Sequence, residues 1–271
     1  MKQLSILIGL MLVMLSCNQT TNPQEKTGNN EETAVTTKKE SKEPTKPEET
    51  EVWEPVPLKV EVAENGIPSD AIVLFDGTDL SQWESANESG GTASWIINED
   101  GSMTVKNGSG DIKTKESFGS VQLHIEWRNP ETPRADGQNR GNSGVFLQEL
   151  YEVQVLDNYD NKTYVNGQVA SVYKQHIPLV NASKPSGEWQ EYDIIFHEPE
   201  FDEKGNNVKS GTLTVLHNGV LVQDHVKIKG STEYIGWPKN EAHGKAPLKL
   251  QDHNDNSGVS YRNIWIRELN E

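Results

Sequence analysis

The sequence holds one cysteine in 271 residues, and that cysteine is Cys17. A folded domain beyond it therefore has no intrachain disulfide, and its stability must come from core packing. Basic residues are also short, 25 Lys and Arg against 41 Asp and Glu, for a formal net charge of −16. Such a surface repels phosphate backbones and excludes a nucleic-acid partner. Long apolar runs are missing apart from residues 4–15, so no helix is expected to span a membrane within the domain. No segment keeps a helical period over three turns, which excludes a bundle. No glycine-rich nucleotide-binding motif occurs either.

What is there begins with "MKQLSILIGLMLVMLSC". Lys2 supplies a positive start and residues 4–15 an apolar stretch too short to span a bilayer, the pattern of an export signal. It ends in a small residue before Cys17, as in bacterial lipoproteins, where the cysteine is lipidated and becomes the new N-terminus. Ordinary cleavage near Ser16 is the alternative. Residues 18–52 are rich in Thr, Glu, Lys, Asn and Pro, and cannot bury enough apolar surface to offset ordering entropy. They are expected to be a tether. Residues 53–271 are expected to form one domain. The protein is then exported and held to the cell envelope, periplasm or outer membrane, with a lipid anchor as its sole membrane contact.

Within the domain, strand signals follow one another. "SVQLHIEWR" alternates apolar Val121, Leu123, Ile125 and Trp127 with polar neighbours, and "YEVQVLD", "EWQEYDIIFH" and "APLKLQDH" alternate likewise. "GTLTVLHNGVLVQDHV" reads as a hairpin around Asn218-Gly219. Many short strands joined by turn chemistry indicate an all-β sandwich or jelly roll.

Alternation also assigns faces. With the valines and leucines inward, three strands carry functional side chains outward: His124, Glu126 and Arg128; Glu152 and Gln154; Lys249, Gln251 and His253. A solvated outer face is the ordinary account of any one strand. Three such strands together lead us to expect a single sugar-sized hollow. The polar loop 129–144, with Arg134 and Arg140, interrupts the strand rhythm and is expected at its rim. Lys174 and His176 are expected on another rim loop. Trp127 and Trp265 share the apolar parity of their strands, so Trp237 in "YIGWPKN" is the tryptophan expected to be exposed.

The segments "IVLFDGTDLSQWE", "LHIEWR", "GNSGVFLQELYEVQVLDNY", "NASKPSGEWQEYDIIF", "GTLTVLHNGVLVQDHV" and "PLKLQDHNDNSGVSYRNIWIREL" stand in this order over nearly the whole domain. In that order they resemble the 3-keto-disaccharide hydrolases, a bacterial family of 3-keto-glucoside 1,2-lyases and 3-keto-2-hydroxyglucal hydratases. The resemblance implies a concanavalin A-like jelly roll of two curved antiparallel sheets. It implies cleavage of 3-keto-glycosides by C2 proton abstraction, elimination at C1 and hydration. A separate sugar 3-dehydrogenase would supply the 3-keto substrate.

That chemistry needs a base near C2, a donor or cation at the C3 oxygen and an acid for the leaving oxygen. Glu152 or His253 would be the base. Arg128, Lys249 or a divalent cation would hold the enolate oxygen, and Glu126 or His124 would be the acid. Gln154 and Gln251 would grip hydroxyls, with Lys174 and Trp237 also touching substrate. A cofactor is not required, and a cation stays open: "DHNDNSG" (252–258) brushes against a calcium loop but lacks its glycine spacing and closing glutamate. Two rivals remain. A retaining glycosidase would need a second carboxyl about 5–5.5 Å from Glu152, which Glu126 could supply. A sugar-binding module without catalysis is the other.

Overall fold

The computed structural model describes residues 43–269. The signal segment, Cys17 and the tether as far as residue 42 lie outside the described residues. The chain divides between Pro57 and Leu58. Before that point the described residues form one exposed 3-10 turn, Pro47–Glu49. Among the described residues no helix is long and apolar enough to cross a membrane.

Beyond it the strands are, in chain order, β1 (Ile72–Phe75), β2 (Trp83–Ser85), β3 (Ile96–Ile97), β4 (Met103–Thr104), β5 (Ile112–Phe118), β6 (Val121–Arg128), β7 (Ser143–Leu147), β8 (Tyr151–Val155), β9 (Gln190–His197), β10 (Glu200–Phe201), β11 (Asn207–Lys209), β12 (Thr212–His217), β13 (Val220–Lys227), β14 (Ala246–Leu250) and β15 (Ser260–Glu268). They form a jelly-roll sandwich. One sheet runs β13-β12-β9-β6-β15-β4-β3, with β1 also paired to β15. The facing sheet runs β2-β5-β14-β7-β8. The small β10-β11 ribbon stands apart from both sheets. The hairpin between β12 and β13 turns where expected, with Asn218 and Gly219 both at positive φ (53° and 75°), the backbone that a two-residue turn demands.

The core follows the predicted parity. In β6, Val121, Leu123, Ile125 and Trp127 are buried, and Val153, Val155, Leu248 and Leu250 meet them from the facing sheet. Trp127 packs against Tyr192 and His217, with ring centroids 5.6 and 5.9 Å away. Removing so large a buried side chain costs about 3–5 kcal/mol.

The two sheets differ on their outer faces. In β6 the outward residues are half-buried, whereas every residue of β7 and β8 is buried. The cause is a cover over the open edge of β8. Backbone N–H groups of Ala170 and Tyr173 donate to the carbonyls of Gln154 and Glu152, at 3.0 and 3.1 Å. The N–H of Gln154 answers to Ser171. Further along the same edge the Thr232 N–H donates to the Leu150 carbonyl, while the Thr232 hydroxyl accepts from the Glu152 N–H. This segment satisfies the edge and turns a sheet face into the floor of a cleft.

Candidate active site

Strand register puts the floor residues in rows. Glu84, Lys113, Lys249, Phe146 and Glu152 stand opposite one another across five successive strands. In the next row Gly144 pairs with Gln154, and the Gln251 N–H donates to the Gly144 carbonyl. Above the β7–β8 end lies a cavity of about 350 Å³, within the range of small-ligand sites. Glu152, Gln154, Gln251 and His253 line it, with Phe146 and Tyr173. The expected outward sets of β8 and of the end of β14 therefore do converge.

Glu152 is 4% exposed. Burial drives its pKa up to about 8; the Lys249 charge opposes this and Asp111 reinforces it. Much of its population is therefore protonated at neutral pH. Lys249 lies 3.5 Å from Asp111 and 4.2 Å from the centre of the Phe146 ring. His253 has Nδ1 3.1 Å from an Asp255 carboxylate oxygen, a contact that fixes the ring. The Gln154 amide donates to Asn142 Oδ1 at 2.8 Å and to the Val155 carbonyl at 3.0 Å, so its nitrogen is committed to the protein. Gln251 differs: its Oε1 is buried without a hydrogen-bond partner.

The other outward set does not converge. His124, Glu126 and Arg128 lie on β6, in the eight-stranded sheet, and so face away from Glu152 and His253 across the full thickness of the sandwich. Parity tells which side of a strand a residue takes; it does not tell which sheet the strand joins. The assignments of Glu126 as acid, Arg128 as enolate clamp and His124 as sugar contact are corrected accordingly. These side chains are engaged by neighbours on that side of the molecule. His124 Nδ1 is 2.8 Å from Asp193, and Arg262 and Asn263 donate to Glu126 at 2.7 and 2.9 Å. Arg128 donates to Asp100 at 2.7 Å and lies 4.6 Å over the Trp189 ring. Burial alone would lower the His124 pKa, yet the hydrogen bonds to Asp193 and Glu126 outweigh it and lift it to about 9. Burial alone would raise Glu126, yet hydrogen bonds to His124, Asn263 and Arg262 hold it near 2.

Other rim residues separate too. Arg140 is held by Asp157 at 3.0 Å and by Ser186, so it braces a loop. Arg134 donates to the Asn256 carbonyl at 2.9 Å and, with Arg128, lines a separate cavity of about 570 Å³. His176 Nε2 lies 2.7 Å from the Lys227 carbonyl. Lys174 and Trp237 line a further cavity of about 450 Å³. It adjoins the Glu152 cavity at Tyr173, which lines both.

The residues that sequence reasoning missed are Phe146, Tyr173, Asn142, Thr232 and Tyr234. Phe146 sits in a strand buried on both sides, where no alternation marks a face. Tyr173, Thr232 and Tyr234 belong to irregular segments, which carry no period at all. Among the described residues no three His, Cys, Asp or Glu side chains assemble as metal ligands. Asp252 caps its own turn, accepting from the Asn254 N–H at 3.0 Å.

The family model of the 3-keto-alpha-glucoside-1,2-lyase-like domain matches residues 70–267, and the chain belongs to that family. A candidate glycosyl hydrolase from Parabacteroides distasonis ATCC 8503 is similar at 52% identity over 83% of this chain and 97% of its own, with a TM-score of 0.78. A second candidate glycosyl hydrolase from the same organism shares the fold at 20% identity, over 74% and 94% of the two chains, with a TM-score of 0.55. No curated protein matches the chain. Together the family and the 52% relative identify a carbohydrate-active enzyme.

Proposed function

We propose that the enzyme cleaves 3-keto-glycosides by elimination and hydration, with Glu152 and His253 moving the protons. The observation that carries this reading is Glu152: among the described residues it is the one carboxyl lining the cavity, and its pKa is raised to about 8. Proton transfer is most efficient when the group's pKa lies near the working pH. A double displacement needs two carboxyls, and Glu126 lies on the other sheet.

The 3-keto group makes the C2–H acidic. His253, oriented through Nδ1 by Asp255, removes that proton with Nε2. The C2–H electron pair forms the enolate, and the positive charge of Lys249 beside Glu152 stabilises it. The enolate collapses to a C1=C2 double bond and the C1–O bond breaks. The leaving oxygen takes the Glu152 proton. In hydration the Glu152 carboxylate takes a proton from water, the water oxygen adds to C1, and protonated His253 returns a proton to C2. The products are free 3-keto-glucose and the alcohol. The sequence supplies no nucleotide site for making the ketone, so a separate sugar 3-dehydrogenase acts first. Export and lipid anchoring through Cys17 would place both steps in the cell envelope.

The test is incubation with a 3-keto-glucoside and its unoxidised parent, with and without chelator, alongside Glu152→Gln and His253→Ala. Turnover of the keto form alone, lost in both variants and indifferent to chelator, supports the reading. Turnover of the parent alone overturns it. Binding of the sugars without turnover would leave a lectin.

A further inference from the structure

The cavity of about 570 Å³ has no part in the proton transfers, and no residue lines both it and the Glu152 cavity. Strand register sets its floor: Thr104, Ser260 and Arg128 stand opposite one another across β4, β15 and β6. The Thr104 and Ser260 hydroxyls lie 2.7 Å apart, and Ile96 and Pro130 supply an apolar wall. Its charge runs against that of the molecule. In a chain of formal net charge −16, three cations line this cavity, Lys106, Arg128 and Arg134, against one carboxylate, Glu131. Two of the cations are fixed. Arg128 is held by Asp100 and the Trp189 ring. Arg134 donates to the Asn256 carbonyl, a bond that places the guanidinium and leaves its charge unneutralised. Gly258 makes room for it: the backbone there has a positive φ of 67°, and a Cβ would meet Arg134 Nη1 at 3.1 Å. Lys106 is exposed and forms no ion pair among the described residues.

We infer that this cavity is a second binding site, separate from the catalytic one, and that it takes an acidic sugar, a single ring bearing a carboxylate or phosphate group. Guanidinium groups present paired N–H donors that match either anion. The Thr104 and Ser260 hydroxyls and the Ile96–Pro130 wall suit the ring, whose edge carries hydroxyls and whose faces are apolar. The volume lies within the range of small-ligand sites. A neutral sugar leaves the cations unanswered, and a bare anion leaves the other walls so. The loop 252–258 runs from His253 in the catalytic cavity to Asn256 and Gly258 in this one. Asn256 is tied on both sides, its N–H to Asn107 Oδ1 at 2.8 Å and its carbonyl to Arg134 at 2.9 Å. The acidic ring therefore lies beside the loop that carries His253 without entering its cavity.

The experiment is calorimetric titration of the protein with glucuronate, glucose 6-phosphate, glucose and inorganic phosphate. It reads binding alone, so its result is independent of which sugar the catalytic cavity turns over. At least one of the two acidic sugars should bind roughly tenfold or more tightly than glucose, with affinity falling as salt rises. Preference for glucuronate assigns the carboxylate and preference for glucose 6-phosphate the phosphate; either upholds the site. Lys106→Gln and Arg134→Gln should each weaken binding roughly three- to tenfold. Arg134→Gln also releases Asn256, and Lys106→Gln, at an exposed side chain outside that contact, is the variant that keeps the loop as it is. Glu152→Gln should leave the affinity unchanged. No binding of either acidic sugar, equal binding of glucose, or affinity unmoved in both cation variants overturns the inference. Loss of binding in Glu152→Gln overturns it by placing the ligand in the catalytic cavity. Inorganic phosphate binding as tightly as the acidic sugars overturns it by reducing the site to one for a bare anion.

Discussion

The Glu152 carboxyl lies directly over the backbone of Gly144: a methyl group on Gly144 would sit 2.6 Å from Glu152 Oε1 and 2.6 Å from Phe146 Cε2. No real contact is so short, so Gly144→Ala must push both side chains out of the cavity floor. Because Gly144 is in an ordinary strand and has no positive φ, backbone strain plays no part. We expect kcat to fall at least about tenfold, the usual result of misplacing a reacting group by a fraction of an ångström. Circular dichroism should show the sandwich intact. Full activity in Gly144→Ala would remove Glu152 from the chemistry.

The raised Glu152 pKa has consequences for both rate and stability. The acid form is the donor in elimination, so kcat should decline as pH rises through about 8, and a Glu152→Asp variant should shift that limb. For stability the sign runs the other way from a salt-bridged carboxylate. A carboxyl whose folded pKa lies above its unfolded value favours the fold fully below about 4.5, and that advantage is lost as pH rises through about 8. Glu152→Gln should therefore be inactive yet more stable than the wild type, by about 2–4 kcal/mol above pH 8. Denaturant unfolding at pH 5 and pH 9 checks it: the gain should be small at the lower pH and larger at the higher.

The β6 cluster should behave as structure. Glu126→Gln and His124→Ala are expected to leave kcat/KM within about twofold, because their contacts lie on the opposite face of the sandwich, while costing about 1–2 kcal/mol, allowing for the water that reaches Glu126. The pH windows differ. The Glu126 contribution is present above about 4.5 and is lost as pH falls through about 2. The His124 contribution is present below 6.5 and is lost as pH rises through about 9. Thermal melts across that range distinguish the two. A large loss of activity with unchanged melting would return these residues to the site.

The contrast between β6 and β8 shows what a sequence reveals of such a fold. Alternation of Val153 and Val155 with Glu152 and Gln154 located two floor residues correctly, because the period of a strand is a local property. The same alternation in β6 gave the right face but the wrong cavity. Membership of a sheet depends on pairings between strands distant in the chain: β6 pairs with β9 and β15, while the β7–β8 hairpin joins β14. The Asn218-Gly219 turn was legible because its chemistry is contained in two residues. Tyr173 was not, since its position comes from an edge segment that hydrogen-bonds to β8 without a repeating pattern. The clustering of Lys174 with Tyr164, Tyr173 and Tyr234 likewise has no counterpart in sequence spacing.

Gln251 offers a separate test of what the cavity binds. Its Oε1 is buried and unpartnered, and an acceptor stranded in this way costs about 1–3 kcal/mol. The backbone around it is satisfied: the Gln251 carbonyl accepts from the Ser143 hydroxyl at 2.6 Å, and that hydroxyl in turn accepts from Tyr261 at 2.7 Å. The side-chain oxygen is therefore the acceptor left without a donor in an otherwise closed network, and a substrate hydroxyl would supply that donor. Gln251→Met keeps length and volume but removes the acceptor. Without substrate it should be as stable as the wild type or slightly more so. With substrate it should lose affinity, KM rising roughly tenfold with kcat little changed, the mark of an interaction made equally in ground and transition states. If KM stays constant while stability falls, the oxygen has a structural partner and does not face the sugar.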